Sequence, residues 1–252
     1  MFNKLMQQVG LGGLPSSFQY TVSQERQNVS YTMIWQLMKG EKKQGGQKAT
    51  VFFYDKKTGS NQAECLANNM MKMLKKTRHP GVLRVLDSCE TDTGIYIVTE
   101  SVRPLLDWKE VVAEPNAYAL YQVIDAVSFL HTSNTVHGIV DPASLFVTDH
   151  GDIRLGGFEL AGSMQEAISS SLIHQRRSMN CGVRGWPTPE NLPGGAAAGM
   201  VDYHGLAVCA AYIFCSQGKG ADYRMDLDIA ANQVLFSFQK QYLSFAFINS
   251  WV

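Results

Sequence analysis

The two most informative stretches of this sequence are His137-Gly-Ile-Val-Asp-Pro-Ala-Ser144 and Arg154-Leu-Gly-Gly-Phe-Glu159. Between them, short apolar runs alternate with a turn at residues 149–152, which predicts brief strands joined by tight turns. Loops that perform acid-base or metal chemistry need carboxylate or amide groups at fixed positions. In these two stretches the acids are Asp141 and Glu159, and isoleucine, serine and glycine fill the positions around them.

Length and composition indicate a globular protein with one large core or two joined lobes. The chain has 252 residues, 45% of them hydrophobic, and its 22 basic residues balance 22 acidic ones. Because the formal net charge is zero, the chain as a whole produces no electrostatic field that would attract nucleic acid. The longest apolar run, Leu206–Cys215, is too short to cross a bilayer, and residues 1–18 lack the apolar core of a signal peptide. We therefore expect no nucleic-acid partner and no transmembrane segment, with at most peripheral membrane association.

The cysteines are odd in number and scattered along the chain. None of the five belongs to a Cys-x-x-Cys pair, which argues against a disulfide framework and against a zinc site. This pattern favours a reducing, cytoplasmic setting. The residues are Cys65, Cys89, Cys181, Cys209 and Cys215.

The first half of the chain has the pattern of a small β lobe. Residues 1–28 carry glycine, serine and glutamine without a sustained period, which predicts a loosely ordered lead-in. β-Branched and aromatic residues predict strands at 31–38 and 49–54 joined by a Lys- and Gly-rich loop, and the runs 82–86 and 95–99 predict a hairpin of the same sheet. One apolar stripe between these pairs predicts a helix; its residues are Ala63, Leu66, Ala67, Met70, Met73 and Leu74.

The second half of the chain, after about residue 102, is predicted to be mainly helical. The run 203–215 is apolar nearly all round, which predicts a helix buried on every side. An earlier amphipathic stripe predicts a second helix, with the apolar residues Leu120, Val123, Ile124, Val127 and Leu130.

The order of these elements resembles a protein kinase across roughly residues 30–216. His79-Pro80 resembles the turn after the αC helix of kinases. Ile95-Tyr-Ile-Val-Thr-Glu100 resembles the strand that leads to the hinge, with Thr99 at the gatekeeper position and Glu100, Ser101 and Val102 at the hinge. Further stretches resemble the approach to the catalytic loop, the APE motif and the start of the αF helix, namely Phe129-Leu-His131 with Val136-His137, Thr188-Pro-Glu190 and Asp202.

This resemblance implies an α+β, bilobal protein-kinase-like fold. Residues 29–102 would form a small antiparallel β lobe with one helix, and residues 103–252 a mainly helical large lobe. After Arg224 the sequence has no arginine, and its strongly apolar end at 234–252 matches no kinase motif. We therefore expect an incomplete large lobe and a tail whose aromatic residues are candidates for a protein interface.

Kinases need positioned charges for phosphoryl transfer, and this sequence lacks them at the matching positions. The resemblance places Phe52 where the strand lysine stands and Met70 where its glutamate partner stands. Apolar groups at both places leave no lone buried charge, so the two losses are physically consistent. We expect Phe52 and Met70 to pack together inside the small lobe.

The loop positions are equally degenerate. Aligned with the HRDLKPEN motif, Ile139 takes the place of the catalytic aspartate and Ser144 that of the magnesium-binding asparagine. Gly157 takes the place of the metal-binding aspartate of DFG. Isoleucine cannot accept a proton, and glycine offers no metal ligand. The resemblance therefore implies no catalytic residue and no metal site.

The strand at 30–39 stands where kinases have a glycine-rich lid. Bulky residues there prevent backbone amides from closing over phosphates, and we expect Trp35, Phe52 and Met70 to fill the nucleotide cleft. We therefore expect no cofactor: no magnesium site and no firm ATP binding. Two alternatives stay open, a divergent active kinase that uses Asp141 or Glu159 in displaced roles, and a nucleotide-sensing pseudokinase whose hinge binds adenine.

Four stretches are more closely similar to the Scy-like, or N-terminal kinase-like, pseudokinase family. They are Val51-Phe-Phe-Tyr-Asp55, Arg78-His-Pro80, Tyr96-Ile-Val-Thr-Glu100 and Leu155-Gly-Gly157. Members of that family are cytoplasmic and Golgi-associated scaffolds in vesicle traffic. This resemblance implies an inactive kinase-like scaffold whose partners are proteins, among them vesicle-coat or trafficking components. In the kinase frame, His137 is expected to bond backbone near the former metal loop, and Asp202 to hold the backbone of the loop that contains His137.

Overall fold

A computed structural model describes five segments of the chain, which fall into two compact units. Unit 1 contains the described residues up to Pro104 together with Ala143–Ala161, and unit 2 contains the others. The described segments are residues 14–25, 27–28, 34–107, 117–164 and 199–215.

Unit 1 is built on an antiparallel sheet of six strands. They are β1 (Tyr20–Val22), β2 (Gln27–Asn28), β3 (Gln36–Lys42), β4 (Lys48–Asp55), β5 (Val85–Glu90) and β6 (Gly94–Glu100). The order is β1-β3-β4-β6-β5, with β2 also paired to β3. The central strand β4 is buried from Ala49 to Tyr54, which explains why it carries a continuous apolar run instead of an alternating one.

One helix, α1 (Asn61–Lys76), accompanies this sheet. The Ser60 hydroxyl accepts a hydrogen bond from the Ala63 N–H at its start, and the Thr77 N–H donates to the Met73 carbonyl at its end. The predicted helix is confirmed. Its buried residues are Leu66, Ala67, Met70 and Leu74.

A second, three-stranded sheet of unit 1 contains β7 (Val102–Pro104), β9 (Leu145–Thr148) and β10 (Ile153–Leu155). The predicted turn between β9 and β10 is confirmed, with Gly151 at a φ of 90°. From the sequence, we predicted that every residue after 102 belongs to the large lobe. The structure differs, because β9 pairs with β7 and so residues 143–161 pack with unit 1.

Unit 2 contains two helices that pack against each other, α2 (Ala117–Thr132) and α3 (Met200–Cys215). A short pair of strands, β8 (Thr135–Val136) and β11 (Gly162–Ser163), follows α2 in the same unit. None of the described helices has the length and apolar character needed to span a bilayer.

Two predictions about the burial of these helices are wrong. Ile124 of α2 is 42% exposed, and Tyr203 and Phe214 of α3 are 48% and 38% exposed. The pattern of α3 hides this because tyrosine and phenylalanine count as apolar, although an aromatic ring can lie partly in water.

The sheet also begins earlier than the sequence predicts. Phe18 and Tyr20 are buried in one core cluster, and β1 pairs with the far half of β3. The expectation of a loosely ordered lead-in is therefore wrong for residues 18–22, where three alternating apolar residues form too short a pattern to stand out. β3 likewise extends to Lys42, into the stretch predicted as a loop, whereas residues 31–33 of the predicted strand lie outside the described residues.

Candidate functional site

The position assigned to the phosphate-binding lysine is occupied by packed aromatic rings. Phe52 on β4 is fully buried, and its ring meets those of Trp35 and Phe146 edge to face at 6.2 and 5.2 Å. Trp35 also meets Tyr54 edge to face at 6.4 Å. Such pairs contribute about 0.5–1.5 kcal/mol beyond the burial of apolar area.

The neighbouring position on α1 is equally apolar. Met70 is fully buried in unit 1, as is Phe52, so the expected burial of both side chains is confirmed. Their direct contact stays a prediction.

Asn69, beside Met70, ties α1 to the degenerate DFG stretch. Its side-chain amide donates to the carbonyls of Phe158, Glu159 and Ala161 at 3.3, 2.8 and 2.9 Å. These residues lie in and just after a 3₁₀ turn, Phe158–Leu160. Sequence reasoning missed Asn69, because a polar residue on a helix gives no sign of which distant carbonyls it will reach.

Ser144 and Gly157, which the kinase resemblance assigns to the two magnesium-binding positions, lie next to each other in unit 1. The Gly156 N–H donates to the Ser144 carbonyl at 2.8 Å. Gly157 has a φ of 75°, and a Cβ added there would lie 2.7 Å from the Cβ of Ser144. A side chain at 157 would therefore have to displace Ser144 as well as adopt a left-handed backbone.

Glu159 faces inward and accepts a hydrogen bond from an indole. Its Oε1 lies 2.8 Å from Nε1 of Trp35, and its Oε2 has no hydrogen-bond partner among the described residues. Burial raises the pKa of the Glu159 carboxyl, while a backbone hydrogen bond and the Trp35 N–H lower it by less. The protonated form of this carboxyl is thus favoured compared with a carboxyl in water.

The hinge positions are joined to β4 by two threonine hydroxyls. The buried Thr99 hydroxyl donates to the carbonyls of Thr50 and Glu100 at 3.2 and 3.0 Å. The Thr50 hydroxyl donates to the Val102 carbonyl at 2.9 Å and accepts from the Val102 N–H at 3.0 Å. Ser101, the remaining hinge residue, is half-buried. Both polar backbone groups of Val102 are therefore engaged inside unit 1.

In unit 2, Asp202 organises the stretch that corresponds to the catalytic loop. This fully buried carboxylate accepts hydrogen bonds from the N–H groups of His137 and Gly138, both at 2.8 Å. A ring nitrogen of His131 lies 2.9 Å from the same carboxylate. The Ile139 N–H donates to Nδ1 of His137 at 3.2 Å. The role predicted for Asp202 is confirmed, whereas a bond from His137 to backbone near the former metal loop stays a prediction. The contribution of His131 was missed.

The remaining predicted loop residues of unit 2 are buried. Ile139 and Asp141 are 7% and 5% exposed. Burial, and secondly the charge of Asp141, raises the pKa of the Cys209 thiol on α3 well above its usual value. Gly205 lies so close to this loop that a Cβ there would stand 2.1 Å from the carbonyl oxygen of Val140.

Some predicted features lie outside the described residues, namely Thr188-Pro-Glu190 and the apolar tail at 234–252. Within the described segments, no group of three or more His, Cys, Asp or Glu side chains is placed to hold a metal ion.

Curated relatives match part of the chain. It is 36% identical over 150 residues to the probable inactive serine/threonine-protein kinase scy1 of Dictyostelium discoideum, which covers 58% of this chain and 18% of that protein. It is 34% identical over 131 residues to the mouse protein named for associating with the carboxyl-terminal domain of ezrin, covering 51% of this chain and 17% of that protein. The chain thus spans about a fifth of the length of these relatives.

A solved structure and a family match show the fold and the family of the chain. The crystal structure of Cex1p superposes with a TM-score of 0.65 at 22% identity, covering 89% of this chain and 41% of that chain, and this likeness concerns the fold. The protein kinase domain family matches residues 36–239, which is more than half of the sequence. The chain therefore belongs to the protein kinase domain family.

Proposed function

We propose that this chain is a catalytically inactive kinase-like domain that acts as a scaffold or binding module for other proteins. The observation that carries the proposal is the aromatic cluster around Phe52, which occupies the position of the phosphate-binding lysine. A buried ring cannot neutralise the charge that moves with a phosphoryl group. The kinase resemblance also places Ile139 at the position of the catalytic base. This supports the same conclusion, because isoleucine cannot accept a proton.

In this proposal, the residues present in unit 1 do not fit a nucleoside triphosphate with magnesium. Gly157 brings no ligand for a metal. At the hinge, the Val102 N–H has a single hydrogen, and Thr50 accepts it. Adenine recognition through this group would have to break that bond and leave the Thr50 hydroxyl without its donor.

The two rival functions find less support. The divergent-kinase alternative needs Asp141 or Glu159 as an ionised group open to substrate. Both side chains are buried, at 5% and 4% exposed, and Glu159 is also engaged by Trp35. The nucleotide-sensing alternative needs a hinge whose polar groups are available, and those of Val102 are engaged by Thr50. Neither alternative is favoured by an observation of its own.

The cellular role in this proposal rests on resemblance and on relatives. One relative is named as a probable inactive kinase, and another for its association with a protein domain. By extension to this chain, we infer protein partners, with vesicle-coat or trafficking components as the first class to test. A cytoplasmic, Golgi-associated location belongs to the same proposal.

A thermal-shift titration tests the proposal. The chain is heated with ATP, with ATP and magnesium, and without nucleotide, next to an active kinase domain as the positive control. We expect no change in the Tm of this chain. Phe52 stands at the position of the phosphate-binding lysine, Gly157 offers no metal ligand, and Thr50 engages the Val102 N–H. A magnesium-dependent rise in Tm would contradict the proposal and favour the nucleotide-sensing alternative.

A further inference from the structure

A cavity of about 350 Å³ opens on unit 1 beside the carboxyl end of α1. None of the aromatic residues packed around Phe52 lines it, and Glu100 is the one hinge residue in its wall. Its walls contain three arginines and one histidine against one acid, namely Arg78, Arg84, Arg154, His79 and Glu100. Three guanidinium groups around one small cavity are an arrangement that binds an anion, whereas Nδ1 of His79 accepts a hydrogen bond from the Gly81 N–H at 3.1 Å.

Ion pairs neutralise only part of this positive charge. Nε of Arg154 lies 3.4 Å from Glu100, and its guanidinium also lies 3.4 Å from Asp152. Arg78 and Arg84 are exposed, and neither makes an ion pair with a described residue. Two guanidinium groups thus remain to meet a ligand, in a chain whose formal net charge is zero.

The cavity is partly organised before a ligand arrives. The Arg154 side chain is only 16% exposed and is held by two carboxylates. Glu100 in turn accepts a hydrogen bond from the backbone N–H of Arg84 at 3.0 Å. The carboxyl end of α1 adds partial negative charge nearby, and Lys75 and Lys76 in its last turn offset it.

We propose that this cavity binds a phosphorylated serine or threonine of a partner protein. A phosphate monoester carries close to two negative charges and three acceptor oxygens, so it can engage two arginines at once, which a single carboxylate does less well. The volume lies at the lower end of ligand pockets, about 300–1,000 Å³, and suits one modified side chain. A membrane surface is a worse match, since a concave site offers its charge to a group that enters it.

This inference rests on the proposed function in one respect: it names the class of partner that the proposed binding module would recognise. Its test uses neither nucleotide nor catalysis, so the two proposals fail independently. The probe is a fluorescein-labelled peptide with one phosphoserine flanked by alanines, titrated with the full chain and followed by anisotropy. The same peptide without phosphate, the same peptide with glutamate, and vesicles of phosphatidylserine and phosphatidylcholine are titrated in parallel.

We expect the phosphopeptide to bind, inorganic phosphate to displace it, and the other two peptides to bind at least about tenfold more weakly. Replacing Arg78 and Arg84 together by glutamine should weaken phosphopeptide binding at least about tenfold, because charge-assisted hydrogen bonds are lost. The matched control replaces Lys39 and Lys48, exposed on the sheet and outside the cavity, by glutamine. It removes the same charge and should change the affinity less than about twofold.

Circular dichroism melting tests whether both double variants are folded. If the variant with both Arg78 and Arg84 replaced is unfolded, the single variant Arg84→Gln is titrated in its place. Equal affinity for the glutamate peptide would overturn the proposal, as would equal weakening in the control. Binding to the vesicles without binding to the phosphopeptide, or no binding at all, would overturn it too.

Discussion

At the scale of single residues, two side chains on one face of β4 bind different parts of unit 1. Thr50 and Phe52 are two positions apart, so both lie on the same face of the strand. Thr50 engages the hinge backbone, and Phe52 packs on Trp35 and Phe146. The other face of the strand, with Val51 and Phe53, belongs to the core cluster that contains Phe18.

Replacing Phe52 by lysine should destabilise the fold without creating activity. An unpaired charge at a fully buried position costs about 3–5 kcal/mol in the free energy of unfolding. Urea denaturation of Phe52→Lys measures this loss, and Phe52→Leu, which removes volume without adding charge, is the control. A lysine variant as stable as the leucine variant would mean that the side chain reaches water or an acid.

Replacing Glu159 by glutamine should make stability less dependent on pH. Because burial raises the pKa of Glu159 above its ordinary value of 4.5, the folded state retains a proton that the unfolded state releases. The stability of the parent chain therefore falls as the pH rises from about 4.5 through the folded pKa, and then stays level.

Glu159→Gln cannot titrate, so its stability relative to the parent should increase over the same window and be smallest at acid pH. Urea denaturation across this pH range measures the difference. Glu25→Gln, at an exposed carboxylate of the same unit, should show no such trend. A difference that is constant with pH would contradict the assignment to Glu159.

At the scale of elements, the contact between α1 and the 3₁₀ turn depends on one amide. Asn69→Leu keeps a similar volume but removes the donor to three carbonyls, so it should cost about 1–3 kcal/mol and speed hydrogen exchange in residues 158–161. Asn68→Leu is the matched control, because the structure gives Asn68 no side-chain hydrogen bond to a described residue. Equal effects of the two variants would refute the role of Asn69.

The elements that could be predicted from the sequence are those with a repeated pattern. The apolar stripe of α1 correctly predicted a helix, and the continuous apolar run of β4 correctly predicted a strand, because both patterns extend over many residues. β1 was missed because its pattern covers only three residues. Contacts such as the one between Thr50 and Val102 could not be foreseen, because which distant backbone group a hydroxyl reaches depends on the register of two strands.

At the scale of the whole molecule, we expect no detectable phosphotransfer to protein or peptide substrates. The kinase resemblance places other residues where kinases carry charged or metal-binding groups, namely Phe52, Met70, Ile139, Ser144 and Gly157. One such loss already lowers the rate by orders of magnitude. Transfer from radiolabelled ATP measures it. Activity that survives stringent purification and disappears in Asp141→Asn would contradict the prediction and restore the divergent-kinase alternative.

The hydrogen bonds of Asp202 also bear on the order in which unit 2 folds. They join residues 64 and 65 positions apart in the sequence. Closing a loop of that length costs about 4 kcal/mol in chain entropy, whereas α2 forms from contacts within a few residues. We therefore expect the backbone at 137–138 to take its final conformation late in folding, when α3 packs against it, and to lose that conformation when α3 is displaced.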